Sequence, residues 1–249
     1  MRQRPGVLAT FSPDRQFHRM RQSTLLLAAT VLAVFACGRL GRRDNPTALA
    51  SRVALLRDPT HAEWRAPAPA VSQLRFETSK GVFVLELVRA WGPIGVDRLY
   101  NLARLGYYDN TRVHRVRAGY IAQWGLHGDS AVNAAWKGQY LADDPPRSRN
   151  TRGSFAFSYE GPGRDNTRNT QLYVNLADNV RNDVEPFTVL GTVVEGMAVL
   201  DSLYSGYGEE SGSGVRQGKQ GPLERGGNTF IDREYPKLDR IVRVTVKAK

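Results

Sequence analysis

The sequence predicts a mainly β fold carrying two α-helices. Two observations point there. Apolar and polar residues alternate in Leu74–Thr78 and Phe83–Leu87, and β-branched residues crowd Ile241–Val246 near the C terminus. Alternation with a period of two is the mark of a half-buried strand. Between residue 71 and the C terminus, helical spacing stands out only after Pro93 and after Met197.

The chain begins with an address rather than a fold. Leu25 to Cys37 is thirteen residues without a charge, and Arg19 and Arg21 precede it. A basic stretch before a short apolar run reads as a secretory signal, too short to span a membrane comfortably. Ala36-Cys37-Gly38 closes the run and resembles a bacterial lipobox, with Phe35 larger than the residue usual at its place. That resemblance implies that Cys37 is lipidated and becomes the mature N terminus. The alternative is an ordinary signal with an incidental cysteine. A signal starting at Met20 has conventional proportions, so Met20 is a candidate true start. The expected organisation is a signal region over 1–36, an anchor cysteine and linker over 37–70, and a folded domain over 71–249. Within the linker, Leu49, Val53 and Leu56 allow a helix, and Ala66-Pro67-Ala68-Pro69-Ala70 favours a semi-stiff spacer.

The domain opens on a hairpin, Leu74–Thr78 and Phe83–Leu87, with turn chemistry in Ser79-Lys80-Gly81. Pro93 starts a helix whose core face is Val96, Leu99, Tyr100 and Ala103, and Gly106 stops it. Further strands are expected at Gly153–Phe157 and Thr170–Val174. A second helix, Met197 to Tyr204, places Val199, Leu200 and Leu203 on one face. Gly206–Gly227, rich in glycine, serine and charge, reads as a long surface loop, with Asn228 capping a helical turn before Pro236. His127, Asp129, Asp143 and Asp144 lie in a polar excursion, and their spacing fits no metal template.

The densest signal is Gly106–Gly125. Arg115 sits inside an apolar alternation, and Gln123 follows in a second alternating run from Tyr120. A guanidinium and a carboxamide on half-buried strands are costly unless each finds partners. They either satisfy neighbouring backbone groups or build a site. Gly106-Tyr107-Tyr108-Asp109-Asn110-Thr111-Arg112-Val113-His114-Arg115-Val116, continuing through Ala118-Gly119-Tyr120-Ile121-Ala122-Gln123, resembles the signature of the cyclophilins, the peptidyl-prolyl cis/trans isomerases. The resemblance covers about residues 72–248. It extends through Thr78–Leu87, the Gly153–Val174 region and Pro186–Met197.

The resemblance implies a closed eight-stranded antiparallel β-barrel capped by two α-helices. It implies that Arg115 is the catalytic donor and that Gln123 and Gln171 face the substrate. Tyr120, Ile121 and Tyr173 match proline-contacting positions, Leu172 stands beside them as a pocket candidate, and Phe187 aligns where a histidine often stands. Tyr120 and Tyr173 replace phenylalanine, Trp124 replaces a glycine, and Ser158-Tyr159-Glu160 replaces a small-residue run. Such a reaction needs neither metal nor cofactor. His114 reads as structural, with no nucleophile in a recognisable context beside it.

Composition narrows the partners. The net charge is +11 and the sequence pI about 10.1, yet the basic residues are scattered and do not interleave with aromatics. Nucleic acid is therefore not expected. The glycine-rich Glu160–Asn169 stretch lacks the ending of a phosphate loop. The reading is an extracytoplasmic, periplasmic or cell-envelope isomerase, monomeric and lipid-anchored, acting on proline-containing or unfolded polypeptides. The rivals are a catalytically weak proline-peptide-binding or chaperone module on the same fold, and a barrel with an open apolar interior for a small ligand.

Overall fold

A computed structural model describes residues 46–211 and 220–248. Met20, the signal-like run and Cys37 lie outside them. The described residues from Leu49 onward belong to one compact unit.

The elements are α1 (Pro46–Leu56), β1 (Val71–Thr78), β2 (Gly81–Val88), α2 (Pro93–Arg104), β3 (Thr111–Arg112), β4 (Arg115–Arg117), β5 (Ile121–Trp124), α3 (Ser130–Trp136), β6 (Ser154–Phe157), β7 (Leu172–Asn175), β8 (Val189–Glu195), α4 (Met197–Asp201), α5 (Gln220–Glu234) and β9 (Arg240–Ala248). The nine strands of the described residues join one sheet in the order β3-β9-β1-β2-β8-β6-β7-β5-β4, and the paired strands are antiparallel.

The expected hairpin is β1–β2, closing at Thr78 opposite Gly81. In place of eight strands, the described residues form a strongly curled antiparallel half-barrel of nine. The extra strand arises in Thr111–Arg117, whose first two residues pair with β9 and whose last three pair with β5, so one interrupted stretch supplies both ends of the ladder. Register shifts at Glu77/Thr78, Val84/Leu85 and Phe155/Ala156 sharpen the curl.

The inner face is filled. Phe76 and Phe83 stack at 4.8 Å between ring centroids, and Trp124 meets them at 5.5 and 5.8 Å. Leu74, Phe76, Phe83, Leu85, Trp124, Phe155 and Phe157 are all fully buried. Aromatic side chains bury on the order of 150–250 Å² each, so these rings occupy the space that a small-ligand barrel would keep open.

Helix α2 begins with Pro93 at its first turn and buries Val96, Leu99, Leu102 and Ala103. Gly106, at φ +77°, takes the left-handed conformation that ends such a helix cheaply. The Asp144 carboxylate caps its start, accepting from the Ile94 and Gly95 amides at 2.9 and 2.8 Å. Gly95 makes this approach possible, since a Cβ there would lie 2.7 Å from Leu190 and 3.3 Å from the carboxylate. Arg168 neutralises the cap: its Nη2 donates to Asp144 at 3.2 Å and its Nε to Asp143 at 2.7 Å. The side chains of Arg168 and Asp144 are both 0% exposed.

Two expectations are corrected here. The linker assigned to 37–70 is, from Leu49 onward, part of the folded unit, because Leu56, Trp64 and Ala68 belong to the main core. Trp64 meets Trp136 edge to face at 4.8 Å, and Asp97 and Asn101 hold the Ala68 amide and the Ala66 carbonyl. The Pro/Ala stretch is thus docked along α2. Likewise the loop expected over Gly206–Gly227 becomes helical at Gln220. Two helical segments meet at Gly227, whose φ of 55° and ψ of −155° break the helix just before Asn228.

Candidate active site

The register builds the site. Arg115 lies opposite Gln123, Gln123 opposite Tyr173, and Tyr173 opposite Ala156. Paired residues on neighbouring strands point to the same face, so these four form one row across β4, β5, β7 and β6. Ile121, two residues before Gln123, shares that face. Alternation sends Ala122, Trp124, Leu172, Val174, Phe155 and Phe157 into the main core.

The row has a polar end and an apolar end. Ile121, Ala156 and Tyr173 form a small buried cluster separate from the main core, with Tyr120 and Phe187 packed against it. Phe187 meets Tyr173 edge to face at 5.3 Å and Tyr159 at 4.9 Å. At the polar end, Arg115 Nη1 donates to Gln123 Oε1 at 3.0 Å, and Gln123 Nε2 donates to Gln171 Oε1 at 2.8 Å. The last contact depends on Gly125, whose φ is +119° and whose Cβ, if present, would sit 2.3 Å from the Thr170 carbonyl oxygen. Both ends open into one groove of about 840 Å³ lined by Arg115, Tyr120, Ile121, Gln123, Gln171, Tyr173 and Phe187.

Leu172 is the exception among the expected site residues. It is 0% exposed and packs in the main core. Its neighbour Tyr173 takes the groove face, and a period of two permits only one of them there.

Several participants were not foreseen. Both Glu209 carboxylate oxygens accept from Arg115, at 3.1 Å from Nε and 3.0 Å from Nη2. Gln220 exchanges hydrogen bonds with Gln171 at 2.8 and 3.1 Å. Glu209 and Gln220 both come from the stretch read as a surface loop. Asn150 accepts the Tyr173 hydroxyl at 2.8 Å and Asn182 accepts that of Tyr120 at 3.3 Å. Arg181 lies 4.3 Å from the Tyr120 ring centroid.

His114 is completely buried. Burial, with the adjacent Arg115 cation adding to it, drives its pKa down to about 3. It is therefore neutral at pH 7 and too weak a base for proton abstraction there. The unfolded chain protonates this imidazole below about pH 6.5 while the folded chain does not. The unfolded state thus binds more protons between roughly pH 6.5 and 3, so stability drops as the solution is acidified through that window. Burial lowers His127 in the same direction. Asp58, Asp129 and Asp183 are also lowered, but their stabilising effect is lost only below about pH 4. The expected result is that His114→Leu reduces the loss of unfolding free energy between pH 6.5 and 4.5, by up to about 1.4 kcal/mol per pH unit. Denaturant unfolding of both chains at several pH values measures it.

The family model for "Cyclophilin type peptidyl-prolyl cis-trans isomerase/CLD" matches residues 73–222, more than half of the 249 residues. The chain belongs to the cyclophilin family. A Helicobacter pylori peptidyl-prolyl cis-trans isomerase is 32% identical over 133 residues, covering 52% of this cyclophilin and 78% of that protein. Human peptidyl-prolyl cis-trans isomerase-like 1 is 29% identical over 143 residues, covering 56% and 81%. Among solved structures, a cyclophilin type isomerase of Cryptosporidium parvum superposes with a TM-score of 0.52 at 18% identity, covering 72% of this chain and 99% of that one. A crystal structure of the same protein in the presence of the dipeptide Ala-Pro gives a TM-score of 0.51 at 18% identity, covering 71% and 99%.

The departures of this cyclophilin from the family pattern have physical answers. The Tyr120 and Tyr173 hydroxyls would be unsatisfied in a purely apolar pocket. Asn182 and Asn150 supply their acceptors. Tyr159 hydrogen-bonds Glu185, and Glu160 pairs with Arg164 at 2.5 Å, so the acidic side chains of this groove wall are already engaged within the protein.

Proposed function

We propose that this cyclophilin isomerises Xaa–Pro bonds in polypeptides outside the cytoplasm, with Arg115 as the catalytic donor and Cys37 as a lipid anchor. The observation that carries the site assignment is the cross-strand row. It sets a cationic donor and an apolar cluster on one face of one groove.

The chemistry demands little else. Rotation about the prolyl amide has a barrier of about 20 kcal/mol because resonance is lost in the twisted form. A catalyst needs a pocket for the ring and a group that stabilises the twisted amide more than either planar form. Ile121, Tyr173, Tyr120 and Phe187 hold the ring, and Gln123 and Gln171 orient the flanking peptide. Arg115 donates to the prolyl nitrogen as its lone pair localises. No bond to protein forms or breaks, so the groove needs no nucleophile.

The activity is tested on a peptide with one Xaa–Pro bond and on a protein whose refolding waits on a proline. Both are expected to accelerate with the chain present. The address is tested by feeding a labelled fatty acid to cells expressing the full sequence. Label is expected on the chain and lost in Cys37→Ser. A wild-type chain that is secreted free and unlabelled overturns the lipoprotein reading and leaves the isomerase reading standing.

A further inference from the structure

Arg115 does not stand free in the groove. Its Nε and Nη2 donate side by side to the two Glu209 oxygens at 3.1 and 3.0 Å, and Nη1 donates to Gln123 at 3.0 Å. The Arg115 side chain is 15% exposed and that of Glu209 27%, so the pair is mostly removed from water. A guanidinium carries five N–H donors. Three are spent, and one remains on each terminal nitrogen.

The mount beneath Glu209 is anchored on both sides. Before it, the Tyr207 ring lies edge-on between Tyr204 and Tyr235, at 5.1 and 5.3 Å. After it, buried Ser211 donates its hydroxyl to the His114 carbonyl at 2.7 Å, one residue from Arg115 itself. Tyr235 also donates to the Glu210 carbonyl at 3.1 Å. A displaceable plug would need a looser attachment than this.

We infer that Glu209 is the positioning residue of Arg115, fixing the guanidinium plane so that its two free N–H groups face the proline pocket. The inference rests on Arg115 being the donor proposed above. The physical case is preorganisation. An arginine side chain has four rotatable bonds, and a two-point carboxylate contact along one edge fixes the plane in a way that a single contact does not. Gln123 holds the other edge and is itself held by Gln171, which Gln220 locks. Glu209 and Gln220 therefore hold the polar row at its two ends. A misplacement of about 1 Å in a catalytic group can cost on the order of 10²-fold in rate.

The test measures kcat and KM on a proline peptide for the full chain and for Glu209→Ala, Glu209→Gln and Arg115→Ala. Glu209→Ala is expected to lower kcat by about tenfold or more, with KM changed by less than about threefold. Glu209→Gln is expected to lie between, since its amide keeps one acceptor for two donors. The Arg115 Nε–H is expected to exchange slowly with solvent in the parent and rapidly in Glu209→Ala. If Glu209→Ala fails to fold, Glu209→Gln decides alone. Unchanged kcat in these variants, beside an inactive Arg115→Ala, overturns the inference and leaves Arg115 in its role. A raised kcat also overturns it, and makes the carboxylate a brake on the donor. An active Arg115→Ala overturns the donor assignment and this inference with it.

Discussion

Replacing Arg115 by alanine is expected to lower kcat/KM on a proline peptide by about 10²- to 10³-fold, the usual effect of removing one preorganised donor. The fold should survive. Arg115 lies on a three-residue strand at the end of the sheet and outside the main core. Its loss leaves Gln123 bonded to Gln171 and Glu209 open to water. Lysine is not a substitute, because a point charge on a flexible stem cannot hold Glu209 and Gln123 along two edges at once. Arg115→Lys is therefore expected to remain well below the parent. Steady-state kinetics, with circular dichroism as the check on folding, distinguish a lost donor from a lost structure.

The largest expected effect on stability is elsewhere, at Arg168. Arg168→Ala strips the cation from Asp144, whose carboxylate is fully buried. Breaking a buried ion pair from one side typically costs about 3–5 kcal/mol, because the remaining charge stays desolvated. The vacated guanidinium volume adds to this, since Arg168 is among the largest fully buried side chains. The consequence reaches α2, whose first turn is capped by that same carboxylate. For a chain of this size the thermal midpoint should fall by about ten degrees or more. A midpoint within two or three degrees of the parent would mean that the Asp144 carboxylate does not depend on Arg168.

Much of this was legible in the sequence, for identifiable reasons. The β1–β2 hairpin follows from alternation around Ser79-Lys80-Gly81, and α2 from Pro93 at its start and Gly106 at its stop. The groove was legible because Gly106–Gln123 is a long ordered match rather than a short motif. Leu172 was misassigned although the signal against it was present. Adjacent residues on a strand cannot both face the groove, and Tyr173 already did. The ninth strand was not foreseen, because it arises at Val113-His114, where the chain leaves β9 and joins β5, a break that no local pattern announces.

Glu209 and Gln220 were hidden for a different reason. They sit in glycine- and serine-rich sequence without periodicity, and their partners are 94 and 49 residues away. The packing of residues 49–70 was masked by proline and alanine, which read as a spacer. Trp64 was the one residue there that a free linker had no use for. Its ring is buried against Trp136.

The most direct measurement is exchange spectroscopy of an Xaa–Pro peptide mixed with the isotope-labelled full chain. The cis and trans peptide signals should interconvert far faster than the tens to hundreds of seconds of the uncatalysed bond. Peptide-induced shifts should centre on Tyr120, Ile121, Gln123, Tyr173 and Phe187 and leave Leu172 and Trp124 little changed. An uncatalysed exchange rate with a folded chain, or shifts centred away from the cross-strand row, would contradict the assignment of this groove as the isomerase site.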